Sequence, residues 1–310
     1  MNRPPLRRPR RSTVLGSFAL VALSAIGMTG CSGTPSSGPT SASVATTSTT
    51  TPVSTSMPAP RQSVVPFTGL VNPQGVAVDN AGDVYVVDFE GGAHTAKGHV
   101  VKLAAGSTTM VPFTGVDHPG GIAVDNAGNL YLTDYDNHRV LELPAGSTTQ
   151  TVLPFNDLKG PGAIAANAAG DVFVTDGDAV VTLAAGSNTQ AVLPFTGLKD
   201  PWTVAVDTAG NAYVVDNGTV VKLSTGSNNQ TVLPFTGLDT PTGLAVDTAG
   251  NVYVVDRNHS RVVEMATAST TQTVLPITGL RSPADIAVDH TGNVYVTDQE
   301  NQQVVKLSSG

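Results

Sequence analysis

The chain has 310 residues, of which 40% are hydrophobic, 13% charged and 5% aromatic, so it is neither a highly charged disordered chain nor a coiled coil. Lys and Arg number 16 against 24 Asp and Glu, and beyond residue 30 eleven basic residues face all 24 acidic ones, a net of −13 that argues against a nucleic-acid partner. One cysteine excludes an internal disulfide framework and a multi-cysteine zinc site.

Residues 1–30 have the layout of a secretory signal: a basic leader, Met1 to Ser12, then an apolar run from Val14 to Gly27. That run is shorter than the roughly 20 residues a membrane-spanning helix needs. The small residues in Met28-Thr29-Gly30-Cys31 resemble a bacterial lipobox, although Met28 stands where Leu is commoner. The resemblance implies that Cys31 is lipidated as the first mature residue, which places the protein outside the cell membrane on a lipid anchor. An ordinary cleaved signal is the alternative. Arg10-Arg11 suggests twin-arginine export, but Thr13 sits where that signal wants an apolar residue, so the export route stays open between Sec and Tat.

Residues 31–62 form the next segment. The stretch between Cys31 and Arg61 carries no charge and is dominated by Ser, Thr and Pro. Such a composition cannot bury enough apolar surface to offset its ordering entropy and predicts a disordered stalk, with a mean reach of about 30 Å.

From Val64 onward the chain repeats. Pro-Phe recurs at 66, 112, 154, 194 and 234, with Pro276-Ile277 as the sixth copy, at spacings of 46, 42, 40, 40 and 42. In one copy, Leu244-Ala-Val and Val252-Tyr-Val-Val are runs apolar on both faces, separated by the turn residues Asp247-Thr-Ala-Gly250-Asn251. Four short strands per unit and six units predict an all-β, six-bladed β-propeller over 63–310. The proline is expected within the fourth, outer strand, an edge position that tolerates a missing N–H. The last unit lacks its fourth strand, whereas an orphan copy, Ser63-Val-Val-Pro-Phe67, precedes the first. The ring is therefore expected to close by this N-terminal strand joining the last blade as its outer strand.

The string Pro-x-Gly-[Ile/Val/Leu]-Ala-Val-Asp-x-x-Gly-Asn-[Val/Leu]-Tyr, ending in Asp-x-x-Asn-x-x-Val, resembles the NHL repeat from Val64 to the end of the chain. More narrowly, Val192-Leu-Pro-Phe-Thr-Gly-Leu-Lys-Asp-Pro-Trp202 and the linker Leu183-Ala-Ala-Gly-Ser-Asn-Thr-Gln190 look like the extracellular sensor domain of the mycobacterial receptor serine/threonine kinase D. With no glycine-rich nucleotide loop, and with Asp88-Phe89-Glu90 in place of an Asp-Phe-Gly signature, the resemblance implies a tethered sensor-like propeller rather than a kinase. Asn167 departs from the Asp at 79, 125, 207, 247 and 289, and the first unit carries an insertion, Gly91 to Gly98.

In a propeller the segments leading into the inner strands and the connections between second and third strands share one face. The second set is longest in the first blade, from Asp88 to Val100, shorter in the second, fifth and sixth, and shortest in the third and fourth. That face collects His94, His99, His118, His138 and His259 with Tyr135, Arg139, Arg257, Arg261 and the lone Trp202. Trp202 stands where other blades have Gln74, Gly120, Gly162, Thr242 or Ala284, and reads equally as a binding hot spot or as a ring that plugs the channel or packs on a neighbour. The histidines lack ligand spacing with a carboxylate, and the strand-ending Asp88, Asp134, Asp176, Asp216, Asp256 and Asp298, one per blade, read as acceptors for turn amides.

The leading expectation is a non-enzymatic, monomeric, membrane-tethered module with no cofactor, metal or nucleic-acid partner. It would bind a protein, glycan or cell-envelope ligand through Trp202, Tyr135, Arg139, His118, His138, Arg257, His259 and Arg261. The alternatives are a propeller enzyme, a streptogramin-type lyase or metal-dependent lactonase, and a purely structural envelope protein.

Overall fold

A computed structural model describes residues 59–90 and 97–309; the signal, Cys31, most of the stalk and His94 lie outside the described residues. Each repeat folds into a four-stranded antiparallel sheet, and there are six such sheets among the described residues. Blade 5 shows the plan: Pro241–Val246 is the inner strand, followed by Val252–Asp256, Arg261–Met265 and the outer Gln272–Val274. The inner strands of the other blades are Pro73–Val78, Pro119–Val124, Pro161–Ala166, Pro201–Val206 and Pro283–Val288. Each lies against the inner strands of both neighbours, so the ring closes between blades 6 and 1. Helix among the described residues is confined to the 3₁₀ turn Arg257–His259, and none is long and apolar enough to cross a membrane.

The two-faced apolar pattern has its expected consequence. Every residue of Val252–Asp256 is buried, as in the second strand of every blade. The core consists of clusters between blades, such as Tyr85, Val87 and Val100 of blade 1 with Ile122, Leu132 and Leu141 of blade 2. Burying both sheet faces against neighbours is what fixes blade stacking.

Closure follows the expected route. Arg61–Val65 pairs antiparallel with Gln303–Ser308, from Arg61 opposite Ser308 to Val65 opposite Val304, completing blade 6. The strand begins at Arg61, slightly earlier than the Ser63 that the repeat suggested.

Two features differ from the sequence expectation or lie beyond it. The repeated proline does not sit inside the outer strand but ends it: Phe195 N donates to Leu193 O at 2.8 Å across Pro194, and the same i to i+2 bond spans Pro66, Pro112, Pro154, Pro234 and Pro276. The fixed φ of proline suits the centre of such an inverse γ-turn, which turns the chain toward the next blade. Each inner strand also has a register irregularity just after its first proline, between Pro201 and Thr203 in blade 4 and between Pro283 and Ile286 in blade 6. A bulge there frees the next residues from the ladder and re-aims them at the channel.

Candidate functional site

The strand-ending aspartates organise the loop-rich face. Asp88 accepts the Asn72 and Val71 amides at 2.8 and 3.0 Å, Asp176 those of Lys159 and Gly160 at 2.8 and 2.9 Å, and Asp216 those of Lys199 and Asp200 at 2.9 and 2.8 Å. Asp134, Asp256 and Asp298 each accept one such amide, from Asp117, Asp239 and Arg281. They therefore pin the segments leading into the inner strands. Burial pushes the Asp88 carboxyl up, against the pull of its two amide donors.

Within this frame a cavity of about 570 Å³ opens at the channel mouth, lined by residues from all six inner strands. That volume lies within the range of small-ligand sites, about 300–1,000 Å³. On one side the rings of Phe89, His118 and Tyr135 form a run, with centroids 5.5 Å apart at 79° and 5.4 Å apart at 50°. Gly160 makes room for this run, because a Cβ there would stand 2.9 Å from the Tyr135 ring. Trp202, carried on the blade 4 bulge, is 58% exposed and Tyr135 43%. The cavity stays open beside Trp202, so the ring lines the channel mouth rather than plugging it.

The sequence-selected residues divide. His118, Tyr135, Trp202 and Arg257 line the cavity. Arg257 donates through Nη2 to Gln299 Oε1, and burial lowers its pKa while the charge of Glu300 opposes that shift. Arg139 and Arg261 instead brace the longer loops: Nε of each donates to the strand-ending Asp134 or Asp256 at 2.6 and 2.7 Å, and Nη2 to Gly115 O or Gly237 O at 2.7 and 3.0 Å. His259 Nδ1 lies 2.9 Å from Asp256 Oδ2, and His138 occupies a left-handed turn at φ 52° with its amide donating to Tyr135 O. Neither lines the cavity. Among the described residues no three His, Cys, Asp or Glu side chains converge as a metal-ligating set.

Sequence reasoning missed one group. Asp285 lines the cavity at the third position of the blade 6 inner strand, where the other blades have Gly75, Gly121, Ala163, Thr203 and Gly243. Its Oδ2 accepts the Val76 amide of blade 1 at 3.0 Å, and its own N–H donates to Thr297 Oγ1 at 2.9 Å. Protein surrounds the carboxylate although it faces the channel, and this burial pushes it up to about 6, moderated by the Val76 and Ile286 amides. A lone charge in an otherwise small or neutral column is the signal that the sequence did contain.

Comparison with known proteins fits this architecture. Residues 70–94, 117–143, 238–264 and 280–307 match the sequence pattern of the NHL repeat. The chain carries NHL repeats. The matched segments are blades 1, 2, 5 and 6, whereas blades 3 and 4 join their second and third strands through short hairpins, Asn217-Gly218 in blade 4 with φ 47° and 77°. Those paired positive φ values are a type I′ turn. No curated protein matches the chain in sequence. A Bacteroides thetaiotaomicron protein of unknown function matches in structure with TM-score 0.64 at 14% identity, over 81% of this chain and 76% of that one. A nidogen/laminin complex gives TM-score 0.58 at 19% identity, over 75% and 82%. A catalytically inactive virginiamycin B lyase from Staphylococcus aureus with quinupristin gives 0.57 at 12%, over 81% and 100%. At these identities the likeness shows the propeller fold alone.

Proposed function

We propose that this NHL propeller is a binding module of the bacterial cell envelope, held outside the membrane by a lipid on Cys31, that takes its ligand at the channel mouth. The observation that carries the reading is the open cavity rimmed by exposed Trp202 and Tyr135, on the face where the loops vary most. Large amphipathic rings that remain exposed at a concave site are the usual anchors of recognition. The NHL pattern and the linker likeness to the kinase D sensor fit a sensor-like role, with a protein, glycan or other envelope component as ligand. The first residue of the closing strand, Arg61, pairs with Ser308 at the end of the blade opposite the mouth, so the chain joins the propeller away from this face.

The test compares full-length protein with Trp202→Ala for binding to separated envelope proteins and cell-wall glycan. Saturable binding weakened at least about tenfold by the substitution is expected, as for an interface anchor. Turnover of a streptogramin B antibiotic or of a lactone by the wild type would favour the enzyme alternative, and so overturn the binding reading. Cys31→Ala is expected to move the protein from the membrane fraction to the soluble one; retention in the membrane would remove the lipid anchor.

A further inference from the structure

We infer that the channel mouth is a site for a small organic ammonium ion, its cationic nitrogen held at the Asp285 carboxylate and its apolar body laid against Tyr135 and Trp202. This rests on the proposal that the mouth is the binding site, and adds the ligand's chemistry.

Asp285 has the acceptor capacity required. A carboxylate offers about four lone-pair directions. The Val76 amide takes one of them, and no basic side chain among the described residues forms an ion pair with Asp285. Its surroundings leave space rather than partners, because Gly75, Gly121 and Gly243 bring no side chain to this register. Gly243 has a structural reason as well: a Cβ there would stand 2.8 Å from the Asp285 Cα, so only glycine lets the two inner strands approach.

The charge around the site favours a cation over an anion. The acids of the lining are Asp285 and Asp200, whereas Arg257 is held by Gln299 under the field of Glu300, and His118 Nδ1 is 3.5 Å from Asp136. The rings of Phe89, Tyr135 and Trp202 line the same space, and aromatic faces attract a desolvated cation. An ammonium supplies the three donors that the carboxylate lacks.

Trp202 is the only tryptophan, so its fluorescence reports directly on the mouth. Full-length protein would be titrated with phenethylamine, 2-phenylethanol and phenylacetate, which share one ring and differ in the polar end, with excitation confined to indole and calorimetry in parallel. Phenethylamine is expected to saturate at least about tenfold below 2-phenylethanol, with phenylacetate weakest, as for a charge pair in a partly desolvated site. Asp285→Asn is expected to bring the amine and the alcohol to within about threefold, whereas Gln74→Ala is expected to leave the tenfold preference in place. Equal binding of all three probes by the wild type would overturn the ammonium assignment while leaving the mouth a binding site. The same holds if no probe binds but cell-wall glycan or an envelope protein still shifts Trp202 emission. No shift with any probe or envelope fraction would remove both readings. The wild-type probe series alone decides the matter if Asp285→Asn fails to fold.

Discussion

At the scale of single residues the propeller uses aspartate in two opposite ways. Asp207 heads the turn on the face away from the channel mouth and is solvated by protein donors: the Asn211 amide and side chain at 2.9 and 2.7 Å and the Tyr213 hydroxyl at 2.9 Å. Burial raises its pKa, but these donors and Lys222 outweigh it and hold the carboxyl below its usual range. Blade 3 keeps the same arrangement with the roles exchanged, since Asn167 faces Asp171 and Phe173 replaces the tyrosine that would have needed a carboxylate acceptor. Asp285 is the reverse case, with burial holding its carboxyl above the usual range, at about 6. A carboxyl raised on folding contributes nothing differential below its unfolded pKa near 3.8, and lowers stability progressively as pH rises from there to about 6. Asp285→Asn should therefore be more stable than wild type by about 1–2 kcal/mol at pH 7.5, with the gain shrinking toward pH 4. Urea unfolding of both proteins at the two pH values measures this; a stability difference independent of pH would show that the carboxylate is not destabilised by its site. A residue that weakens the fold where five other blades do without it is the kind of compromise functional sites carry.

At the scale of the element, outer strands are short and need help to stay in place. Gln190 supplies it in blade 3: its Oε1 accepts the Asn156 amide at 2.9 Å and its Nε2 donates to Asn156 O at 3.0 Å, tying the outer strand to the segment that leads into the same blade. Gln150, Gln230 and Gln272 form the same two-bond clamp on Thr114, Thr196 and Thr236, and Gln62 on Thr278. Blade 1 has only Thr108, with a single contact from Thr68 N at 3.4 Å. Each clamp is solvent-exposed and is worth about 1 kcal/mol net. Gln62 differs from the rest because its strand has no covalent turn to the third strand of blade 6. Gln62→Ala and Gln190→Ala should lower global stability by similar amounts, but only Gln62→Ala should speed amide exchange along 61–65 by about tenfold, since that strand can detach alone. Equal exchange in the two variants would show that the closing strand is held by pairing and not by its clamp. Strand count, blade number and the closing strand were all legible from the repeat, because short apolar runs bounded by turn residues at a fixed period carry that information locally. The mouth was legible only in part. The bulge after Pro201 and Pro283 breaks the period-2 rule at the residues that decide what faces the channel, so Trp202 could be placed on the right face without its exposure, and Asp285 could be passed over as one more strand residue. Arg139 and Arg261 carry a structural role that a positive charge on the loop face did not reveal: both pair with buried Asp134 and Asp256.

At the scale of the whole molecule, the ring depends on two strands from opposite ends of the described chain, with Arg61 opposite Ser308 and Val65 opposite Val304. Such closure replaces two exposed ends with one more blade interface, whereas an open array would leave Gln303–Ser308 as an unpaired edge carrying Val304, Val305 and Leu307. Deleting residues 59–66 should thus lower the melting temperature and promote association through that edge. The loss should come from the missing strand and not from its position in the chain, because Arg61 and Ser308 lie at the same end of blade 6. A permuted chain that begins at Phe67 and carries residues 59–66 after Gly310 converts the closure into an ordinary connection between third and outer strands. It should recover the melting temperature and association state of the parent, measured by calorimetry and sedimentation. A deletion variant that melts with the parent, or a permuted chain that fails to recover, would mean that the inter-blade clusters alone hold the ring and that the N-terminal strand is an accessory to it.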